Sequence, residues 1–420
     1  MEIELAKGTK NVDPQQKLIR NRVINVLMSL FERYGFLPLE TPTLQRFEVL
    51  ASKYAGGAEI LKETFKLQDQ GKRDLALRYD LTVPLALYVA VNPQVKLPFK
   101  RYEIGKVFRD GPISVERFRE FWQCDIDIVG TSSLLAEAEL LELAQQAFKE
   151  LQLNVTIKVN NRKILDGIME NAKIPQEQTE SVILTIDKLE KIGEAGVRKE
   201  LLEKGLKEPE IKQALKLILL EGNNQKKLTE LKKTLKNNQG IQEMETLLKY
   251  VENIEFDPSL ARGLAYYTGT IFEVKLNTPE VKVSIASGGR YDKMIGEFLK
   301  NNQQYPAVGF SFGLDRIERA VQTTEKTTTL IYLIPIKQIE ATRNLVKKLR
   351  TIGINAEMDL MERSISKNLD YANVMGIPYV VIIGEDEVKQ KKYKLKEMKT
   401  GKENFYTEED LIKELKKHAK

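Results

Sequence analysis

Arginines crowd one short stretch of the sequence, KVFRDGPISVERFREFWQCDIDIVG. Two β-patterned runs flank a loop there, with Arg109 before the loop, Arg117 and Arg119 within it, and Phe121 just beyond it. Guanidinium groups bind phosphate through paired hydrogen bonds, and an aromatic ring offers a stacking surface for a base. The stretch therefore indicates a nucleotide site, with a solvent-facing ladder of arginines and acids as the alternative.

A second row of polar residues occurs in LRYDLTVPLA. The two-residue period of a strand predicts that Arg78, Asp80 and Thr82 share one face. Such a row suits a binding site, and an exposed sheet face explains it equally well.

Two later stretches carry further polar groups. In ARGLAYYTG, Arg262 precedes a tyrosine pair, and Tyr266 and Tyr267 can reach one site only where the backbone turns. In GFSFGLDRIERA the pattern changes from strand to helix at Gly313, so Arg316 is predicted in the first helical turn. An arginine near that positive helix end suits a bound anion.

The rarest residues limit the chemistry. The 420-residue chain has one histidine, His418, and one cysteine, Cys124. This composition excludes a Ser-His-Asp or Cys-His nucleophile in the core, an internal disulfide framework and a histidine-rich or thiolate metal site. An enzyme built from this sequence must use carboxylates, arginines, lysines, hydroxyls or bound ions.

The overall composition is that of an ordinary globular protein, with 42% hydrophobic and 30% charged residues and a formal charge of +6. That charge is weak support for a nucleic-acid partner, because a lysine-rich solvated surface gives the same excess. The sequence has no apolar run of the roughly 18 residues that a membrane span needs. We therefore expect a cytoplasmic protein with no membrane contact.

The elements that must position these residues can be predicted from hydrophobic periodicity. We expect helices over 15–35 and 132–150, short antiparallel strands up to residue 130, and a strand over 153–159. Lysine-, glutamate- and leucine-rich patterns predict a helical insertion at about 175–250, after which strands resume.

The end of the sequence has a different organisation. A polar run, TTEKTTT at 323–329, predicts a linker. Beyond it strands alternate with helices, which is the βαβ signature and predicts an α/β domain over 330–420. The preceding domain would then occupy 1–322.

Taken together and in this order, the motifs resemble those of class II aminoacyl-tRNA synthetases and, more narrowly, histidyl-tRNA synthetases. YGFLPLETPTLQ, KVFRDGPISVERFREFWQCDIDIVG and PAVGFSFGLDRIERA match the three class II motifs, and ARGLAYYTG and ASGGRYD match the two histidine-specific ones. The resemblance implies an α+β fold: a class II antiparallel-sheet catalytic domain with a helical insertion, plus a C-terminal α/β anticodon-binding domain. It also implies a homodimer, with Pro42 at the interface.

The resemblance further implies that the protein activates L-histidine with ATP and Mg2+ and transfers it to tRNA(His). It assigns ATP contacts to Arg109, Arg117, Phe121 and Arg316, and catalytic roles to Arg109 and to Arg262, beside the α-phosphate. It predicts no metal ligand in the chain. The residues implied for histidine are Asp80, Leu81, Thr82, Arg109, Gln123, Asp127, Arg262, Tyr266, Tyr267 and Tyr291.

The sequence departs from the family pattern at Ala265, where an acid is usual, and in the loop DGPISVER. Two other functions are possible: a non-catalytic regulatory paralogue of histidine biosynthesis, and a synthetase for another amino acid. The retained Arg109, Arg262 and Arg316 and the C-terminal region argue against the first. The two histidine-specific motifs argue against the second.

Overall fold

The computed structural model describes residues 4–53, 61–114, 117–261, 266–278, 283–299, 304–322 and 326–418. The chain forms two compact units, one of Met1–Asn11 with Arg20–Val321 and the other of Val12–Ile19 with Gln322–Lys420. No helix in the described ranges is both long and apolar enough to cross a membrane.

The first unit is built on an eight-stranded sheet in the order β1-β5-β6-β11-β10-β9-β7-β8. Its inner neighbours pair antiparallel, whereas β1·β5 and β7·β8 at the two edges are parallel. A small second sheet has the order β2-β4-β3. The strands are β1 Leu37–Pro38, β2 Leu44–Arg46, β3 Lys66–Gln68, β4 Asp74–Leu77, β5 Phe99–Phe108, β6 Glu120–Val129, β7 Val155–Asn161, β8 Glu255–Phe256, β9 Thr270–Leu276, β10 Ala286–Arg290 and β11 Ala307–Gly313.

Helices cover one face of the large sheet. The ring of Phe312 on β11 lies 5.8 Å from that of Phe31 and 5.7 Å from that of Phe148, which belong to the helices Pro14–Arg33 and Leu135–Glu150. Both helices were predicted from periodicity, and their existence is confirmed. Further helices of this unit, within the described residues, are Phe47–Lys53, Thr82–Val91, Arg162–Asn171, Gln176–Ile186, Leu189–Glu203, Glu208–Ile218, Asn224–Thr234, Gln239–Tyr250, Met294–Phe298 and Leu314–Ala320.

The predicted hairpin around the arginine-rich loop is confirmed as β5 and β6, which pair from Phe99↔Val129 to Phe108↔Glu120. Because successive strand side chains point to opposite faces, the alternation of β6 separates two sets. Cys124, Ile126 and Ile128 lie in the core, and the polar residues between them lie on the other face.

The predicted strand through Arg78, Asp80 and Thr82 is wrong. Strand β4 ends at Leu77, and a helix begins at Thr82. Asp80 Oδ1 accepts a hydrogen bond from the Val83 N–H (2.9 Å), which satisfies one of the free amides of the first helical turn. The apparent two-residue period therefore crosses a strand-to-helix turn.

The helical region begins earlier than predicted, at Arg162 rather than near residue 175. Gly167 weakens the helical pattern because glycine costs about 1 kcal/mol in a helix interior. Burial of Ile164, Leu165 and Ile168 offsets this cost, and Asn161 caps the first turn by accepting from the Lys163 N–H at 3.0 Å.

The second unit contains a five-stranded sheet in the order β13-β12-β14-β15-β16. The predicted βαβ pattern is confirmed, since β12 pairs in parallel with β13 and β14. The antiparallel hairpin β15·β16 was not predicted, because the lysine-rich β15 buries little apart from Leu395 and β16 is mostly exposed. The strands are β12 Ile331–Pro335, β13 Ala356–Met358, β14 Tyr379–Ile383, β15 Lys392–Glu397 and β16 Glu403–Thr407, and the helices are Ile339–Thr351, Ile365–Met375, Glu385–Gln390 and Glu408–His418.

The expected fold class, an antiparallel-sheet α+β domain with a helical insertion and a C-terminal α/β domain, is confirmed. The linker prediction falls partly on residues 323–325, which lie outside the described residues. Its boundaries therefore stay a prediction.

Candidate active site

A cavity of about 550 Å³ opens on the polar face of the large sheet, within the first unit. Most residues predicted from the motifs line it. They are Asp80, Thr82, Arg109, Arg117, Phe121, Gln123, Asp127, Tyr266, Tyr267, Tyr291 and Arg316.

Two predicted residues are not among those that line the cavity. Leu81 is fully buried, and its carbonyl accepts a hydrogen bond from Arg101 Nη2 at 2.9 Å. Arg262 lies outside the described residues, so its role stays a prediction.

One end of the cavity is formed by cationic and aromatic side chains. The Arg109 guanidinium lies over the rings of Tyr79 and Phe121, at 4.2 and 5.0 Å from their centroids. Cation–π contact fixes this planar group while leaving its edge available for an anion.

Arg117 at the same end forms an ion pair with Glu63. The Tyr79 hydroxyl donates to Glu63 Oε2 at 3.1 Å, so one carboxylate serves both neighbours. Arg117 is 45% exposed, and water screens an ion pair of this kind. A phosphate could therefore replace Glu63 as its partner.

The third arginine, Arg316, lies in the first turn of the helix Leu314–Ala320, as the change of pattern at Gly313 predicted. Its Nη1 donates to the Ser284 carbonyl at 2.6 Å. The adjacent Asp315 accepts from the Trp122 N–H at 2.8 Å and so joins this helix to β6.

The opposite end of the cavity is acidic and buried. Asp127 Oδ2 lies 2.8 Å from Arg101 Nη2, and the Tyr291 hydroxyl donates to Asp127 Oδ1. Burial raises the pKa of Asp127, whereas the positive charge of Arg101 lowers it. Burial also raises the pKa of Tyr291 well above its usual value, so this hydroxyl stays a donor.

Glycine at position 309 makes room for this acid. In the β6·β11 register Gly309 lies opposite Asp127, and a Cβ atom there would come 2.0 Å from Asp127 Oδ1 and 3.2 Å from the Tyr291 ring. A larger residue would therefore displace the carboxylate.

The backbone turns at Tyr266, which is the condition under which both tyrosines can reach one site. Tyr266 and Tyr267 precede β9, both line the cavity, and their ring centroids are 4.7 Å apart. Tyr266 also meets Tyr291 edge-on at 6.2 Å. Three tyrosine rings thus form an aromatic wall beside Asp127.

Polar residues of β6 and β11 connect the two ends. Gln123 Nε2 donates to Ser311 Oγ at 2.7 Å, and Ser311 in turn donates to Asp125. Burial raises the pKa of Asp125 to about 8, against the opposing charge of Arg101.

Sequence analysis assigned no role to four residues of the site, namely Glu63, Arg101, Asp125 and Ser311. The two-residue period of β6 does place Asp125 on the same face as Gln123 and Asp127. Glu63 and Ser311 needed the tertiary pairing of distant elements. The complete arrangement offers an anion-binding end and a cation-accepting end within one cavity.

Comparison with known proteins agrees with this geometry. The family model described as Histidyl-tRNA synthetase matches residues 8–317, and the one described as Anticodon binding domain matches residues 330–418. The chain belongs to the histidyl-tRNA synthetase family.

Individual members of the family match along nearly the whole chain. Histidine–tRNA ligase 1 of Bacillus cereus is 48% identical over 417 residues, which are 96% of this chain and 95% of that protein. The crystal structure of histidyl-tRNA synthetase from Nostoc sp. PCC 7120 is 32% identical, with a TM-score of 0.87 and coverage of 100% of each chain.

A structure described as an ATP phosphoribosyltransferase regulatory subunit/histidyl-tRNA synthetase, from Bacillus halodurans C, is also similar. It has a TM-score of 0.76 at 20% identity and covers 91% of this chain and 98% of its own. At that identity the likeness shows the fold alone.

Proposed function

We propose that the protein is an ATP-dependent enzyme that activates L-histidine as histidyl-adenylate and transfers it to tRNA(His). The observation that carries this proposal is a cavity with arginines at one end and buried acids at the other. Membership of the histidyl-tRNA synthetase family supports the same activity.

Activation is a displacement at phosphorus. An oxygen of the histidine carboxylate forms a bond to the α-phosphorus of ATP, the bond to the bridging oxygen breaks, and pyrophosphate leaves. The carboxylate is already ionised near neutrality, so the protein needs no general base. Catalysis then depends on positioning and on stabilising phosphoryl charge, which suits an arginine-rich site.

The nucleotide subsite is assigned to Arg109, Arg117, Phe121 and Arg316. Phe121 would stack on adenine, and the arginines would hold phosphate oxygens. Arg109 would also contact the carboxylate of the amino acid, and Arg262 would lie close to the α-phosphate. Arg109 and Arg262 are therefore the proposed catalytic residues.

The amino-acid subsite is assigned to the acidic end. Asp80, Thr82, Gln123 and Asp127 would hold the polar groups of histidine, and the tyrosines Tyr266, Tyr267 and Tyr291 would enclose its ring. Asp127 is held between Arg101 and Tyr291, which supports a fixed acceptor for an imidazole N–H.

Magnesium would enter as part of the MgATP substrate. Within the described ranges no three acidic, histidine or cysteine side chains group as cation ligands. Asp315, a carboxylate that lines the cavity beside Arg316, already forms ion pairs with Arg20 at 2.8 Å and Lys10 at 3.3 Å. The β- and γ-phosphate oxygens are thus the better ligands for the ion.

We further propose that residues 1–322 form the catalytic domain, with the helical insertion near the tRNA acceptor arm, and that 330–420, after the linker 323–329, read the anticodon. The match of the anticodon-binding family supports the last role. We also propose that the protein is a homodimer, since the first motif carries the exposed apolar side chains Leu37 and Leu44, which an interface would cover. We propose a cytoplasmic location as well.

Pyrophosphate exchange into ATP, measured with each of the twenty amino acids, tests the activity. We expect exchange with histidine alone, followed by charging of tRNA(His). Exchange with another amino acid would indicate a different synthetase. No exchange by folded protein would favour the regulatory paralogue.

A further inference from the structure

Asp125 is an acidic residue of the cavity to which the family resemblance assigns no role. It lies on β6 between Gln123 and Asp127, lines the cavity and is only 2% exposed. Its Oδ1 is buried and has no hydrogen-bond partner in the described part of the chain. A buried carboxylate oxygen without a partner costs free energy, so its retention on a cavity wall indicates a ligand with a donor group.

The neighbouring Gln123 offers a second acceptor. Because its Nε2 donates to Ser311 at 2.7 Å, the amide is oriented with Oε1 on the other side. That Oε1 is buried and likewise has no partner among the described residues. Ser311 donates to Asp125, so one hydroxyl fixes both side chains.

Asp127 has charged and polar neighbours that Asp125 Oδ1 lacks. Asp127 Oδ1 accepts from the Tyr291 hydroxyl, and Oδ2, which makes no hydrogen bond, forms an ion pair with Arg101 at 2.8 Å. Asp125 Oδ1 has neither a hydrogen bond nor an ion pair in the described part of the chain. The Cα atoms of alternate strand residues are about 6.7 Å apart. Asp125 therefore lies about that distance from Asp127, the acid proposed to bind the imidazole.

The two acceptors match an ammonium group, which has three N–H donors and no acceptor. In the amino acid, the carbon that carries the ammonium lies between the carboxylate and the imidazole side chain. On β6, Asp125 lies between Gln123 and Asp127, and Asp127 is the acid proposed for the imidazole. The ammonium would therefore lie nearest Asp125. We propose that Asp125 is a substrate-binding residue that, with Gln123 Oε1, accepts hydrogen bonds from the α-ammonium of the amino acid. This inference rests on the proposed histidine activation.

The test uses two analogues to distinguish the contribution of the substrate ammonium to binding from that of the carboxylate. L-histidinol keeps the ammonium and imidazole but lacks the carboxylate, and 3-(imidazol-4-yl)propionate keeps the carboxylate and imidazole but lacks the ammonium. Their binding to the full-length wild type and Asp125→Asn is measured by calorimetry. Glu120→Gln is the matched control, since Glu120 lies on the same strand, outside the cavity, and pairs with Lys106 at 2.6 Å.

We expect Asp125→Asn to weaken L-histidinol binding by about 10- to 100-fold, because a charged hydrogen bond is lost. Binding of 3-(imidazol-4-yl)propionate should change less than about 2-fold, within the range of a neutral substitution. Ser311→Ala keeps the acid but releases Gln123, and it should give a smaller loss confined to L-histidinol. Glu120→Gln should resemble the wild type.

Equal losses for both analogues, or a loss for the propionate alone, would overturn the assignment of Asp125 to the ammonium. Unchanged binding of both would do the same. If Asp125→Asn does not fold, Ser311→Ala decides by the same comparison. Failure of the proposed function is a separate result, since the wild type would then show no histidine-dependent exchange.

Discussion

Glu63 and Arg117 form an ion pair at the arginine end of the cavity, although they are 54 residues apart in sequence. Arg117, which is proposed to bind ATP, is thus paired in the protein with the Glu63 carboxylate. This carboxylate is negatively charged, as phosphate is. If ATP binds at Arg117 as proposed, its phosphate would replace the Glu63 carboxylate as the partner of this guanidinium group.

Glu63→Gln should lower the Michaelis constant for ATP by about 2- to 5-fold, because an ion pair of this exposure contributes about 1 kcal/mol or less. The constant for histidine should not change. Both are measured by pyrophosphate exchange. Glu48→Gln is a suitable control, since it removes an exposed pair with Arg46 away from the cavity. A higher constant for ATP would show instead that Glu63 holds Arg117 in its binding position.

Gly309→Ala should impair histidine binding selectively. The added methyl group would come 2.0 Å from Asp127 Oδ1, so the carboxylate must move away from Tyr291. We expect the Michaelis constant for histidine to rise at least about 10-fold, and the free energy of unfolding to fall by about 1–3 kcal/mol from overpacking. Steady-state kinetics and chemical denaturation measure the two effects. An unchanged histidine constant would contradict the role given to Asp127.

The large elements were predicted from hydrophobic periodicity, whereas the two subsites were implied by the family resemblance. Long amphipathic helices and the β5–β6 hairpin have periods that depend on local residues alone. Asp80 lines the cavity, but the strand predicted for it was wrong, because a strand-to-helix turn resembles strand alternation over five residues. The partners Glu63 for Arg117 and Ser311 for Asp125 join distant segments, and local patterns contain no information about such pairs.

Asp125 should make the stability of the unliganded protein depend on pH. Its pKa is raised to about 8 by burial, with Asp127 and Asp80 adding to the rise and Arg101 and Ser311 opposing it. An unfolded aspartate titrates near about 3.9. Between these values the folded state binds more protons, so the free energy of unfolding falls as the pH rises from about 4 to about 8.

Asp125→Asn removes this contribution. Relative to the wild type, the variant should become more stable as the pH rises through that window, as measured by urea denaturation at pH 5, 6, 7 and 8. A constant difference between the two proteins across the series would show that Asp125 keeps an ordinary pKa.

Arg262→Ala should slow adenylate formation by roughly 100-fold or more, a loss of about 3 kcal/mol of transition-state stabilisation. The Michaelis constants should change much less. Arg262→Lys should restore only part of the rate, because an ammonium group lacks the planar fork of arginine. Single-turnover rates, normalised to folded protein, measure this, with the exposed Arg22→Ala as control. A normal rate for Arg262→Ala would leave the residue with a structural role.

Four cavity-lining side chains, Phe121, Gln123, Asp125 and Asp127, come from alternate positions of the one strand β6. The spacing of their Cα atoms is therefore set by the pleat of the backbone and not by any loop. Evolution or engineering can exchange the side chains one at a time, but it cannot move one of these positions along the strand without moving the others. A single-residue insertion in β6 would turn the polar row into the core and the core row into the cavity. Specificity in this protein should therefore tolerate substitutions far better than changes of length.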